Sequence, residues 1–200
     1  MQTLPFQPDP GGTDGASDSL VDIAAQLLHL LKLKSPKLFL HSNQVANYAV
    51  SIAAKMRLPR EEIERIRVAA LLHDIGHLTV PNAILAKVPY LSARELTVYR
   101  YHCNAGGCML ENIPSCLDLI PYIRYHHERF DGKGYPKRLK GVNIPLGARI
   151  IAVANYYDRF INPCTQNWSK TKEEAVRELL NHSSTSFDSE VIRAFIDALG

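Results

Sequence analysis

Residues 71–80 read LLHDIGHLTV, and this stretch places a polar pair at the end of an apolar helix. Before it, apolar residues recur at helical spacing; they include Ile63, Ile66, Ala70, Leu71 and Leu72. His73 and Asp74 then interrupt the pattern where further Leu or Ala would pack a core better. An imidazole beside a carboxylate at this position indicates a task other than packing.

The composition is typical of a globular protein. The 200 residues are 46% hydrophobic and 22% charged, with a formal net charge of +3, and this length is common for one domain. The 23 lysines and arginines are spread along the chain without a run of five or more. Duplex-binding domains usually concentrate such charge, so we expect one domain that does not bind duplex nucleic acid.

The sequence shows neither a membrane span nor an export signal. No apolar stretch approaches the roughly 18–20 residues that cross a bilayer, and the N-terminus lacks a basic segment followed by an apolar one. The cysteines form no C-x-x-C pair, which favours small buried thiols over a disulfide or a zinc site; they are Cys103, Cys108, Cys116 and Cys164. We expect a soluble, cytoplasmic chain.

Helical periodicity runs through almost the whole chain, and no stretch alternates convincingly as a strand would. Residues 1–17, rich in Pro, Gly, Asp and Ser, predict a disordered tail, and 18–200 predict a single all-α domain. The long non-helical stretch is 128–144, and loops of this length in compact domains tend to be functional. Caps and prolines place the helices near 18–33, 36–57, 60–75, 81–87, 93–112, 115–127, 145–161, 171–182 and 188–199.

Several histidines fall on these helices or at their ends. Any one of them alone is more often a satisfied core residue than a ligand. Five imidazoles and one carboxylate, delivered by four helices onto apolar faces, would be costly buried polar groups unless they bound something. Helical bundles build metal sites in this way. The set that predicts a metal centre is His41, His73, Asp74, His102, His126 and His127.

A series of motifs carries a family resemblance. It runs from about Ser35 to the end of the chain and follows the order of the HD-GYP subgroup of the HD phosphohydrolases. The segments that resemble this subgroup are His41, HDIG at 73–76, His102, YHHE at 125–128, DGKGYP at 131–136 and PLGARIIAVA at 145–154. The resemblance implies an HD-domain helical bundle. It also implies a phosphodiesterase that opens cyclic di-GMP, or a related cyclic dinucleotide, at a site with two or three metal ions.

The resemblance also implies which side chains bind which ion. One ion has His41, His73 and Asp74 as ligands. Asp74 bridges to a second ion, whose other ligands are His102, His126 and His127. Two ions roughly 3.5–4 Å apart would share a water, lower its pKa and polarise the phosphoryl oxygen that it attacks. Histidine-rich ligands suit iron, manganese, nickel or zinc better than magnesium or calcium, and the sequence leaves these four open.

Three positions depart from the family's pattern. Asn155 stands where an aspartate usually completes the ligands of the first ion. His77 replaces the lysine that usually approaches substrate phosphate, at a catalytic position close to Asp74. Lys37 stands four residues before His41, where some members carry a Glu and can hold a third ion. We therefore expect two ions at most.

Different interpretations of these departures stay open. In one, the changes at Asn155 and His77 are coupled: an anion and a fixed cation are lost together, and His77 could supply a ring nitrogen to the under-ligated first ion. In another, Asn155 weakens the metal site, catalysis fades, and the domain serves as a dinucleotide-binding or GGDEF-docking module. A third is a different HD hydrolase that acts on nucleoside phosphates.

The 128–144 loop also has two interpretations. Its Gly and Pro are typical of simple turns, and its cations of a solvated surface. By resemblance, Gly134, Tyr135 and Pro136 form the family's namesake loop, which is linked to substrate specificity and to docking of diguanylate cyclase (GGDEF) domains. Tyr135 could then stack on a guanine, while Lys133 and Arg149 supply charge to phosphates. The expected reaction is hydrolysis of cyclic di-GMP to linear pGpG or onward to GMP.

Overall fold

The computed structural model describes residues 19–162 and 171–200. The predicted tail at 1–17 and Cys164 lie outside the described residues, so a domain boundary near residue 18 stays a prediction. Within the described ranges no strand occurs, and the only strand-like pairing found there is an isolated bridge between Ser183 and Phe187. The predicted all-α fold is confirmed.

The described residues form ten α-helices and three short 3₁₀ segments. The α-helices are α1 (Leu20–Lys34), α2 (Pro36–Lys55), α3 (Arg60–Leu72), α4 (Asn82–Leu85), α5 (Ala93–Arg100), α6 (His102–Leu110), α7 (Ile120–Tyr125), α8 (Leu146–Ile161), α9 (Lys172–Asn181) and α10 (Ser189–Leu199). The 3₁₀ segments are Ile75–Thr79, Pro114–Leu119 and Gly141–Asn143. In the described part of the chain no helix is both long and apolar enough to cross a bilayer.

Local sequence signals explain where several helices begin. The Ser35 hydroxyl accepts a hydrogen bond from the Leu38 N–H at the start of α2, and Pro36 follows in the first turn. Helices α5 and α9 both start at capping boxes, at 92–95 and 171–174. These side chains satisfy donors that the first turn of a helix leaves unpaired.

Two predicted helices are divided in the structure. The predicted helix at 93–112 consists of α5 and α6, separated at Tyr101. The predicted helix at 115–127 begins as the 3₁₀ segment Pro114–Leu119 and continues as α7. Pro114 and Pro121 lack the N–H that one uninterrupted helix would need. Each division creates an additional helix end in this part of the chain.

The predicted histidine ligands lie at several of these ends. Helix α3 stops at Leu72 rather than at 75, and His73 is the residue that caps it. His102 is the first residue of α6, and His126 caps the C-terminus of α7. Side chains at helix ends can point along the helix axis, so helices that converge can bring them to a common centre.

Helices α2, α3 and α8 form the centre of the fold. α2 packs against α3, α8 and α10, while α1 covers α2 and α3. Burial of apolar surface drives this packing, and the packing brings His41 on α2, the end of α3 and Asn155 on α8 together. The side chains at the contacts include Val45, Ala49, Ile52, Ile66, Ile150, Ala154 and Tyr157.

Gly76 permits a close crossing between the segment Ile75–Thr79 and α6. A Cβ atom at Gly76 would lie 1.9 Å from the carbonyl oxygen of His102 and 2.7 Å from the nitrogen of Gly106. Both neighbours are backbone atoms, so a side chain would force the two segments apart. Because Gly76 has no side chain, the two segments can approach closely enough for His102 to lie near Asp74.

Gly76→Ala is expected to lower the free energy of unfolding by about 1–3 kcal/mol, the usual range for overpacking. Gly106→Ala is the matched control, because its Cβ would meet its nearest neighbours at 3.2 to 3.3 Å and should cost less. Urea titrations followed by circular dichroism measure both values. Equal stabilities for the two variants would contradict a crossing that only glycine permits.

Candidate metal centre

The carboxylate of Asp74 lies at the middle of the candidate site. Both of its oxygens are buried and neither has a hydrogen-bond partner within the described residues. Five imidazole nitrogens surround it. Oδ2 lies 3.5 Å from His73 Nε2 and 3.9 Å from His41 Nε2. Oδ1 lies 3.4 Å from His77 Nε2, 3.4 Å from His102 Nε2 and 4.0 Å from His126 Nε2. Each oxygen therefore faces its own group of histidines.

Backbone carbonyls fix the tautomer of three of these rings. In His73, His102 and His126, the Nδ1–H donates to the carbonyl oxygen three residues earlier, at 2.7 Å in each case. The Nε2 atom of each neutral ring then carries a lone pair and faces Asp74. Metal-bound histidines are usually oriented by such a contact to the second ring nitrogen, so these rings are held ready as ligands.

Burial keeps these imidazoles neutral. Desolvation lowers the pKa of His73 to about 3 and that of His126 to about 4. It also holds the pKa values of His102 and His127 well below their usual range. Burial raises the pKa of Asp74, but the positive charge that a neighbouring ring, His73 first, carries when it is protonated holds this pKa well below its usual range. The centre thus presents one negative charge and several lone pairs, which suits a bound cation.

The first group of donors comprises His41, His73, Asp74 and Asn155. His41 Nδ1 is hydrogen-bonded to the Asp158 carboxylate at 2.5 Å, and His41 Nε2 is hydrogen-bonded to the side-chain amide of Asn155 at 3.0 Å. If both atoms held one ion, the ion would replace the hydrogen bond between them. Asn155 therefore lies where an uncharged ligand of the first ion would be.

The second group of donors includes two histidines that face Oδ1 of Asp74, namely His102 and His126. His102, Cys103, His126 and His127 each offer a ligand atom, and these four atoms lie within 4.8 Å of one another. His102 Nε2 and His126 Nε2 are 3.5 Å apart. Since both rings hold their proton on Nδ1, two lone pairs face each other. His127 Nε2 is buried and, in the ranges the structure describes, is unpartnered.

His77 belongs with the second group. Its ring is fully buried and stacks on His102 with centroids 4.1 Å apart. Among the described residues, neither ring nitrogen has a hydrogen-bond partner. Its Nε2 faces the Oδ1 atom of Asp74, whereas His41 and His73 face Oδ2. The placement therefore does not support the expectation that His77 completes the ligands of the first ion.

The donor chemistry fits transition-metal ions. The described residues contain buried clusters of histidine with one aspartate and one cysteine. Neutral imidazoles with a carboxylate suit iron, nickel, zinc or manganese, and such clusters are unfavourable for calcium or magnesium. The residues present could thus hold metal of this kind. Lys37, at the position linked to a third ion, is exposed.

The namesake loop lies against this centre. The buried Glu128 carboxylate accepts hydrogen bonds from the N–H groups of Lys137, at 2.6 Å, and Leu139, at 3.0 Å. These bonds tie the second half of the 128–144 loop to its first residue. Gly134 is buried, and a Cβ there would lie 2.3 Å from the backbone nitrogen of Arg129. The tight turn places Tyr135 beside the second donor group.

Tyr135 is already engaged by protein side chains. Its ring stacks on His127 with centroids 4.9 Å apart, and the guanidinium of Arg100 lies 4.9 Å from the ring centroid. A cavity of about 470 Å³ opens beside it. The residues around this cavity are Arg100, Gly132, Lys133, Gly134, Tyr135, Pro136 and Arg138. Three cations thus line one pocket next to the donor groups, and sequence reasoning found only Lys133.

Arg149 lies elsewhere. Its guanidinium forms an ion pair with Asp188, and its Nε–H donates to the Ile144 carbonyl at 2.9 Å. These contacts tie the start of α8 to the start of α10. The predicted contact of Arg149 with substrate phosphate would require this ion pair to open.

Sequence reasoning missed two residues of α8 that border the site. Asp158 orients His41, as described above, and Arg159 donates to the Tyr99 hydroxyl at 2.9 Å. The proximity of Tyr99, and then of Asp74, raises the pKa of Arg159, so a fixed cation stands beside the centre. Helical spacing could have found both residues, because positions 158 and 159 share a face with Asn155.

The cysteine prediction is partly corrected. Cys103 and Cys116 are buried free thiols as expected, but Cys108 is exposed because its face of α6 is turned to solvent. Burial, and then the charge of Asp74, raise the pKa of the Cys103 thiol well above its usual range. The ligand potential of Cys103 was not predicted, although its position next to His102 was a signal for it.

Comparisons with known proteins identify the family. The model of the HD domain family matches residues 25–191. The chain is 34% identical to a cyclic di-GMP phosphodiesterase of Pseudomonas aeruginosa, over 94% of this chain and 48% of that protein. It is 33% identical to a cyclic di-GMP phosphodiesterase of Thermotoga maritima, over 90% of this chain and 49% of that protein.

A solved structure gives the same answer for the fold. The chain superposes on a cyclic GMP-AMP-specific phosphodiesterase of Vibrio cholerae with a TM-score of 0.66 and 19% identity, over 92% of this chain and 49% of that one. The chain spans about half the length of the curated relatives it matches. The matched family, the ordered motifs and the buried histidine centre agree, and the chain belongs to the HD domain family, with the motifs of its HD-GYP type.

Proposed function

We propose that this chain is a metal-dependent phosphodiesterase that hydrolyses a cyclic dinucleotide, with cyclic di-GMP as its substrate. One observation carries the proposal: the two oxygens of Asp74 are buried and, within the described ranges, unpartnered, and each faces a separate group of histidine nitrogens. A carboxylate placed in this way can bridge two cations. The names of the relatives support the substrate class.

Two divalent ions are proposed, one on each side of Asp74. His41, His73 and Asn155 would hold the first, and His102, His126 and His127 the second. Iron, manganese, nickel and zinc all fit these donors. When bound, such a pair supplies a water of lowered pKa and a Lewis acid for the phosphoryl group.

The residues of the chain supply the geometry. Asp74 sets the separation of the two sites, and the helix-end carbonyls hold the imidazoles in the correct tautomer. His73, His77 and His102 are fully buried, which excludes bulk water from the donors. His77 lies at the proposed catalytic position, with its Nε2 atom 3.4 Å from Asp74 Oδ1.

The pocket beside Tyr135 is proposed to hold the part of the dinucleotide that does not react. A cyclic dinucleotide carries two phosphates, so one can lie at the centre while the other needs cations at a distance. Arg100, Lys133 and Arg138 line the pocket and can provide them. Gly134, Tyr135 and Pro136 shape its wall. Because Arg149 is ion-paired with Asp188, it has no place in this proposal.

Asn155 favours a second candidate function. An amide oxygen brings no negative charge, so the first ion would be held more weakly than by an aspartate. A domain that binds the dinucleotide, or docks a GGDEF domain through exposed Lys133 and Arg138 without turnover, is consistent with this substitution. Metal analysis together with product analysis separates the two functions.

Incubation with cyclic di-GMP and manganese or ferrous iron is expected to give pGpG or GMP, and a chelator should stop the reaction. Asp74→Asn should reduce turnover by more than about 100-fold, since outer-shell partners alone can cost 10–100-fold. The control is Asp118→Asn, whose carboxylate is 80% exposed. Chromatography of the products, with cyclic GMP-AMP and nucleoside phosphates as competing substrates, measures specificity. Absence of turnover with every metal would contradict the proposed phosphodiesterase activity.

Asn155→Asp is expected to tighten binding of the first ion by about tenfold or more, because a carboxylate replaces a neutral ligand at a buried site. The matched control, Asn112→Asp, adds the same charge at an exposed position. Ion content per chain and calorimetric titration with manganese are the measurements. If the wild type holds at most one ion and only the Asp variant hydrolyses substrate, the binding-module function is correct instead.

Arg159→Gln is expected to raise the KM for cyclic di-GMP by about tenfold, because loss of one charge-assisted hydrogen bond weakens binding by roughly that factor. The proposal is that this cation contacts substrate phosphate in the region that the lysine at position 77 would usually serve. Arg159→Lys should recover part of the effect, and exposed Arg193→Gln should have none. A loss of thermal stability without a change in KM would make Arg159 a structural residue only.

A further inference from the structure

Cys103 follows His102 directly and lies in the second donor group. Its Sγ atom is 3.4 Å from His102 Nε2, and its side chain is fully buried. With usual metal–sulfur and metal–nitrogen lengths, this separation subtends about 100° at a shared ion. The separation of His102 Nε2 from His126 Nε2, 3.5 Å, subtends about 117° by the same reasoning. All three atoms therefore lie at the spacing of ligands around one ion.

We propose that Cys103 is a thiolate ligand of the second ion, in addition to the three histidines and Asp74. The proposal rests on the metal centre proposed above but not on the identity of the dinucleotide. Two further observations point to a cation at this place. Asp74 Oδ1 is buried without a hydrogen-bond partner in the described part of the chain, and it lies 3.4 Å from the same His102 Nε2. His127 Nε2 is buried and likewise unpartnered there.

The competing explanation is a hydrogen bond. The thiol could donate its proton to His102 Nε2, because that nitrogen carries a lone pair while Nδ1–H is bound to Tyr99. Such a bond would occupy His102 and remove it as a ligand. It would also leave Asp74 Oδ1 and His126 Nε2 facing the same space without a positive charge. A shared ion would satisfy the clustered donors His102, Cys103 and His126 together, whereas the hydrogen bond satisfies only His102.

Binding by Cys103 has a chemical consequence. The S–H bond breaks as the metal–sulfur bond forms, and the proton passes to solvent. A thiolate is a soft ligand, so the second site would favour zinc or ferrous iron over manganese and would discriminate strongly against magnesium. The first site, which has only nitrogen and oxygen donors, would lack this preference. The two ions of one centre would then differ in identity.

Cobalt(II) reports the ligand directly, because a cobalt–thiolate bond gives a strong near-ultraviolet charge-transfer absorption that imidazole and carboxylate ligands do not give. We expect this absorption in reduced wild-type protein and in a chain that keeps only Cys103 (Cys108→Ser, Cys116→Ala, Cys164→Ser). Cys103→Ser should abolish it and weaken zinc binding by about tenfold or more. Because the Cys103-only chain gives a positive signal, a folding defect in Cys103→Ser does not decide the result.

The other outcomes are distinct. Wild-type protein that binds cobalt at this centre without the absorption, or Cys103→Ser that keeps it, would overturn the thiolate ligand and leave the proposed function intact. Wild-type protein that binds no cobalt, zinc or manganese would overturn the metal centre and the proposed function together. Retention of the absorption in the Cys103-only chain establishes the bond.

Discussion

The buried carboxylate of Asp74, surrounded by histidine lone pairs, is the constraint on which the site depends. Moving such a charge out of water costs several kcal/mol unless hydrogen bonds or opposite charges compensate it. In the described part of the chain no donor reaches either oxygen. The imidazoles of His73, His102 and His126 are neutral and direct lone pairs to the same space. Metal binding would remove this cost, so part of the binding free energy would appear as stability of the fold.

The fold meets this constraint through its helix ends. A histidine just after the last turn of a helix can donate Nδ1–H to a carbonyl that the helix leaves unpaired, as His73 and His126 do at α3 and α7. One contact therefore satisfies the helix and orients the ligand. Gly76 then lets the next segment approach α6 closely enough for His102 to reach the same carboxylate. The same placement of histidines at helix ends therefore caps the helices and orients the candidate metal ligands.

The sequence predicted the helices and the donor set better than the surroundings of the site. Histidines on separate apolar faces indicated a common centre, and the structure places His41, His73, His102 and His126 around Asp74. The division at Tyr101, the side of Asp74 that His77 occupies and the ion pair of Arg149 with Asp188 all depend on packing between distant segments. Arg159 and Asp158 were detectable from their spacing to Asn155. Arg100 was not detectable, because only the tertiary fold brings it to Tyr135.

The net charge of the centre sets the balance between its affinity for metal ions and its affinity for phosphate. The family pattern has an anion at position 155 and a cation at position 77, and this chain has neither. These two differences together leave the formal net charge of the site unchanged. Arg159, one turn beyond Asn155, is a further positive charge that interacts with Tyr99 and Asp74. In the proposed centre the first ion would therefore be held less strongly, and a phosphate would be attracted more strongly. If Cys103 binds as thiolate, it returns one negative charge on the side of the second ion. The side of the first ion would then favour phosphate binding, and the side of the second ion would favour metal binding. Asp74 would contact both sides.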